Sequence, residues 1–153
     1  MATWDDVERL ALALPDTTAD VSRGNRHWNV HGKGFVWERP LRRSDLRALL
    51  AAAPDGPILG VRVEHLGAKE ALLGSDPEVF FTTPHFDGYP AVLVRLERIG
   101  LEDLEDVVVE AWLARAPKRL ARAYLDAAHQ TEPSRQSQAS RPSRSSGVPP
   151  GST

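Results

Sequence analysis

Residues 80–96, Phe80-Phe81-Thr82-Thr83-Pro84-His85-Phe86-Asp87-Gly88-Tyr89-Pro90-Ala91-Val92-Leu93-Val94-Arg95-Leu96, set two apolar runs on either side of a turn-rich segment. Pro84 forces Thr83 into an extended conformation, and Asp87-Gly88 favours a turn. The stretch therefore predicts a strand over 78–83, a loop over 83–90 and a strand over 91–98, two core strands joined as a hairpin.

Working outward, residues 27–30 and 35–38 alternate polar and apolar side chains around His31-Gly32-Lys33-Gly34, which predicts a second hairpin. Residues 58–64 place Leu59, Val61 and Val63 on one face and Arg62 on the other, as a strand does. Helices are predicted over 5–14, N-capped by Thr3 and stopped by Pro15, and over 45–53, capped by Ser44 with Leu46, Leu49 and Leu50 facing in. A third is predicted over 66–73, stopped by Gly74. A fourth over 102–115 carries Leu104, Val107, Val108, Ala111 and Trp112 at helical spacing, and a last helix begins at Pro117. The predicted order is α-β-β-α-β-α-β-β-α-α. This is an α+β fold, a two-layer sandwich with a five-stranded antiparallel sheet and helices packed on it. Trp28 and Trp112 fall on apolar faces and are expected to be buried.

The 153 residues fit one domain, with 41% hydrophobic and 26% charged side chains. No cysteine is present, so disulfides, thiolate metal sites and cysteine nucleophiles are excluded. Residues 1–130 hold 16 Lys/Arg against 20 Asp/Glu, a net −4, and 131–153 hold three Arg against one Glu. That last segment has seven Ser and four Pro. It is read as a disordered tail on a 1–130 domain, because it cannot bury enough apolar surface to offset its ordering entropy. The acidic start of the chain lacks a signal-peptide core, and no apolar run reaches the ~18 residues that span a bilayer. A cytoplasmic protein with no membrane partner is expected.

Five histidines are present: His27, His31, His65, His85 and His129. His27 and His31 share a strand face, with His85 and Asp87 as further donors, but the spacing matches no metal-ligand signature. They are read as surface and hairpin histidines, with no metal and no cofactor. No nucleophile elbow or phosphate loop occurs, and the acid pairs sit at helix starts, where the dipole favours them. No catalytic residue is assigned. Three basic groups remain: Lys33 at a hairpin tip; Arg39, Arg42 and Arg43 just after that hairpin; and Arg115, Lys118, Arg119 and Arg122 around a helix junction. Lys118 and Arg119 stand out, because cations are disfavoured in the first turn of a helix, where free N–H groups also attract anions.

The block 80–96, Ala111-Trp112 and Ala116-Pro117-Lys118-Arg119, the opening Trp4-Asp5-Asp6-Val7 with Leu12-Ala13-Leu14-Pro15, and Gly32-Lys33-Gly34-Phe35 together resemble the MmcQ/YjbR family across nearly all of 1–130. The resemblance implies a two-layer α/β sandwich around an antiparallel sheet. It also implies DNA binding, with double-stranded DNA as partner and a two-winged binding surface. It supplies no catalytic residues. Its recurring positions here are Lys33, Pro84, His85, Gly88, Pro117 and Lys118. The expected DNA contacts are Lys33, Arg39, Arg42, Arg43, His85, Lys118 and Arg119, in a non-enzymatic protein. The alternative is a protein- or small-molecule-binding sandwich in which Arg62 and Arg95, on the open sheet face, receive a carboxylate.

Truncation after Gln130 is expected to leave the fold intact, with unchanged far-ultraviolet circular dichroism and an unchanged cooperative melt. An unfolded or aggregated product would show that 131–153 belong to the core.

Overall fold

The computed structural model describes residues 2–50, 53–54 and 56–131. The chain divides into two compact units, Met1–Pro117 and one beginning at Lys118. The expected tail, apart from Thr131, lies outside the described residues.

The first unit is α+β, as the sequence predicts, with one antiparallel sheet of six strands rather than five, in the order β1-β2-β3-β4-β6-β5. The elements are α1 (Trp4–Leu12), β1 (Thr17–Ser22), β2 (Asn25–Val30), β3 (Lys33–Glu38), α2 (Arg43–Leu49), β4 (Ile58–Arg62), α3 (Leu66–Ser75), β5 (Phe80–Phe81), β6 (Ala91–Arg95) and α4 (Leu101–Arg115). A short 3-10 turn, Pro84–Phe86, lies between β5 and β6. The second unit contributes α5 (Lys118–Thr131).

The additional strand is β1, at the sheet's outer edge. Only Thr17 of its six residues is shielded from solvent, so Thr-Thr-Ala-Asp-Val-Ser carries no inward pattern to read. It returns to β2 through Arg23-Gly24, both at positive φ (54° and 82°), and β2 returns to β3 through His31-Gly32 (50° and 78°). Positive φ at both central residues gives the tight turn whose twist matches the strands it joins. Lys33 is accordingly the first residue of β3 rather than part of the turn.

Register assigns the two faces of the sheet. Trp28, Val36, Val61 and Val92 stand opposite one another across β2, β3, β4 and β6. This face packs on α4, and α1 lies against α4 and β2. Trp28 and Trp112 are both fully buried, as expected. Trp112 also donates its indole N–H to the Pro15 carbonyl at 3.1 Å, which ties α4 to the end of α1. Thr3 caps α1 as predicted, with a reciprocal bond from its own amide to Asp6 at 2.9 Å.

The other face carries Trp37, Gly60, Leu93 and Phe81. The Trp37 indole lies across Gly60, where any Cβ would stand 2.4 Å from the ring. A core of Ile58, Phe81, Phe86, Ala91 and Leu93 is closed by Trp37, Leu41 and Leu49. Here two helices depart from expectation. The cap of α2 is Arg42, not Ser44, and the helix turns Asp45 inward while Leu46 and Leu50 are exposed. Helix α3 runs past Gly74 to Ser75 and buries Lys69. Its first turn is capped by His65, whose Nδ1 accepts the Ala68 amide at 3.0 Å.

Trp112→Ala should cost about 3–5 kcal/mol in urea unfolding, as expected for emptying a filled aromatic site. Trp112→Phe, which keeps most of the packing but loses the indole bond to Pro15, should cost less, about 1–3 kcal/mol for the lost hydrogen bond and the smaller ring.

Candidate nucleic-acid interface

The basic residues that follow β3 are used in different ways. Arg39 is buried, its Nη2 lies 3.0 Å from Asp45 Oδ2, and its guanidinium sits 5.2 Å over the Phe86 ring. Its Nη1 also donates to the Pro40 carbonyl at 2.5 Å. This commits Arg39 to holding α2 against the 84–86 turn, so the expected phosphate contact at Arg39 does not survive its burial. Burial alone would push the Asp45 carboxyl up. The Arg42 amide, which donates at 2.8 Å, and the Arg39 charge outweigh that and hold it below the ordinary carboxylate range.

Beside this pair, a cleft of about 400 Å³ opens on the sheet face away from α4, lined among others by Arg23, His27, Trp37, Arg42, His85 and Phe86. Each element supplies part of it. The β1–β2 turn presents Arg23, β2 turns out His27, the cap of α2 presents Arg42, and the 3-10 turn presents His85. Arg23, Arg42 and His85 are exposed and His27 is half-buried. Neither Arg23 nor Arg42 has an ion-pair partner among the described residues. Glu38 also lines the cleft, but its carboxylate accepts the Arg26 amide at 2.6 Å and pairs with the Arg26 guanidinium at 3.0 Å. With Asp45 and Glu38 both neutralised, the free charge at the cleft is cationic. A larger cleft of about 470 Å³ lies across the 39–41 segment and includes Trp4, Leu46 and Pro57, but no uncommitted cation lines it.

The expected contact set is thus only partly assembled. Arg42 and His85 meet in the cleft, with Arg39 behind them. Lys33 is exposed at the opposite end of β3, four residues or about 13 Å along the strand from Trp37. Arg43 is exposed on α2 outside the cleft lining. Lys118 and Arg119 are exposed in the first turn of α5, with no ion pair among the described residues. Arg23 is not legible as a cleft residue in the sequence, and His27, read there as a hairpin histidine, joins it. The signal for Arg23 is the Arg-Gly pair at 23–24, legible as a turn only once β1 is recognised as a strand.

The other singled-out groups have local partners. His31 Nε2 lies 2.9 Å from Asp16, and among the described residues no three metal-ligating side chains converge on one point. Arg95 donates to the Pro77 carbonyl at 3.1 Å and covers the Phe81 ring at 4.4 Å. Arg62 donates to the Tyr89 hydroxyl at 3.1 Å. Among the described residues, no helix is long and apolar enough to cross a membrane.

The chain belongs to the YjbR family, whose model matches residues 12–114. It is 53% identical over 128 residues to the uncharacterised proteins Mb2600 of Mycobacterium bovis and Rv2570 of Mycobacterium tuberculosis, covering 82% of this chain and 97% of each relative. The crystal structure of the Deinococcus radiodurans protein DR2400, a DUF419 domain, superimposes with a TM-score of 0.55 at 18% identity, covering 74% of this chain and 78% of that one. This last likeness is one of fold.

The buried pair sets an acid limit on stability. A carboxylate with a depressed folded pKa adds stability that is complete above its unfolded value of about 3.9 and is lost as pH falls through the folded value. Urea midpoints should therefore drop in that acid window for the wild type. Asp45→Asn should cost about 3–5 kcal/mol at neutral pH, because it strands a buried guanidinium, and should show a shallower acid limb.

Proposed function

We propose that this YjbR-family protein is a non-enzymatic, cytoplasmic DNA-binding protein that grips backbone phosphates from the cleft beneath the β1–β2 hairpin. The observation that carries this reading is the convergence of Arg23 and Arg42, neither with an ion-pair partner among the described residues, on one concave surface flanked by His27 and His85. Guanidinium groups recognise phosphate through a planar fork of donors. Exposed Lys33 and Arg43 extend the cationic surface outside the cleft. The net charge of −4 over 1–130 is compatible with this, because affinity for a polyanion follows the local patch rather than the sum. Helix α5 adds its own exposed pair, Lys118 and Arg119, where backbone amides and the helix dipole also favour an anion.

Salt-titrated binding to random duplex DNA tests the reading. With about six phosphates neutralised, the logarithm of affinity should fall against the logarithm of salt with a slope near −5. The Arg23→Gln/Arg42→Gln double variant should weaken all sequences about equally and flatten the slope by nearly two units. Lys118→Gln/Arg119→Gln should do the same independently. An unaltered slope in the first variant would remove the cleft from the interface, and absence of any salt-dependent binding in the wild type would end the DNA reading.

A further inference from the structure

Arginines cover many of the aromatic rings of the sheet unit. Arg26 lies 5.7 Å from the rings of both Trp4 and Trp28, Arg39 lies 5.2 Å over Phe86, Arg62 lies 5.0 Å over Tyr89, and Arg95 lies 4.4 Å over Phe81. Trp37 has no such cover. Among the described residues, no cation and no second ring lies over its indole. The ring is nonetheless fixed. Trp37 stands opposite Gly60 of β4, and its indole fills the space that a Cβ at Gly60 would need. It also packs against the core of Ile58, Phe81, Phe86, Ala91 and Leu93. One side of the indole is thus seated on bare backbone and core. The residue stays half-buried, and it lines the cleft that holds Arg23 and Arg42.

The surroundings of this ring suit a nucleotide. Arg23, on the β1–β2 turn, and Arg42, at the cap of α2, reach the same cleft from separate elements. Half-buried Asn25 also lines it, and its amide offers both donors and an acceptor to the edge of a base. His27 and His85 add two further planar rings. The volume of about 400 Å³ falls within the range of sites that enclose a small ligand, roughly 300–1,000 Å³. A seated aromatic ring beside cations is the composition that binds single strands, in which each base has a free face. In a duplex, neighbouring base pairs cover those faces, so a ring set in a cleft meets a base only where the strand is unpaired.

We propose that Trp37 is the stacking platform for an unpaired base, and that the cleft takes single-stranded DNA in preference to duplex, with Arg23 and Arg42 on the phosphates that flank the base. This rests on the reading of the cleft as the DNA-contacting surface and adds the strand state that the surface selects. Phosphate contacts alone favour the duplex, whose charge density is higher. A preference for the single strand therefore has to come from the ring.

The test titrates the full chain with an oligothymidylate of about 12 nucleotides, within the span of known single-strand sites, and with random duplex of the same length at the same salt concentration. The single strand should bind roughly tenfold more tightly than the duplex and should quench tryptophan emission. Trp37→Leu should remove the quench and close the gap between the two forms. Arg23→Gln/Arg42→Gln should weaken both forms. In the wild type, 5-bromodeoxyuridine placed in the oligonucleotide should crosslink to Trp37 on irradiation, which decides the matter even if Trp37→Leu fails to fold. Equal or tighter binding of the duplex, or a crosslink confined to residues outside the cleft, overturns this inference and leaves the DNA reading standing. Absence of salt-dependent binding to either form ends both. Thymidine monophosphate that competes as tightly as the oligonucleotide overturns the assignment to a strand.

Discussion

A buried ammonium ties the loop between β5 and β6 to helix α3. Lys69 reaches from α3 and donates to the carbonyls of Phe86 and Tyr89, the two ends of the turn that the whole second face of the sheet relies on. Burial lowers its pKa, and the Asp87 charge offsets part of that cost. Both carbonyls also accept a backbone amide of the turn, Phe86 from Tyr89 at 3.0 Å and Tyr89 from Ala91 at 2.8 Å, so the ammonium takes their second lone pairs and is itself satisfied in a buried position. Phe86 then enters the core of Ile58, Phe81, Ala91 and Leu93, and the Arg39 guanidinium lies over its ring. The tether thus helps to fix the turn that puts Phe86 in the core, His85 at the cleft and Tyr89 beside Arg62.

The charges of this protein are better understood by what each is bonded to than by their sum. Arg26 is joined to Glu38, Arg39 to Asp45, Lys69 to backbone carbonyls, and Arg95 to the Pro77 carbonyl. These cations hold strands, helices and turns together. Arg23 and Arg42 have no carboxylate partner among the described residues. Side chains that spend their charge inside the fold cannot also recognise a ligand, whereas unpaired guanidiniums retain their full attraction for an anion.

This distinction explains what the sequence reveals and what it hides. The apolar runs around 80–96, the stripe on α4 and the Thr3 cap are legible because burial imposes a period on them. The edge strand β1 is not, because it faces water on both sides. Helices α2 and α3 are legible as helices but not in their orientation. Each turns a charged residue inward, Asp45 or Lys69, and leaves leucines outside, so a hydrophobic pattern assigns the wrong face. The same blindness affects the site. Arg39, Arg42 and Arg43 look alike in sequence, yet only the distant partners Asp45 and Phe86 remove Arg39 from the surface.

His85 and Tyr89 stand four residues apart on one loop, one at the cleft and the other beside Arg62. Shared residency on a loop can couple two sites only if the loop has two arrangements that the ligands favour unequally. Here the loop is anchored at Phe86 by core packing and at both Phe86 and Tyr89 by Lys69. A second arrangement would have to break two hydrogen bonds to a buried charge and withdraw an aromatic ring from the core. Each of those steps costs on the order of kcal/mol. A ligand at either residue would have to supply that energy before it could reach the other. The packing that places His85 and Tyr89 therefore holds the loop in one arrangement, and a change at one of the two residues is not passed to the other.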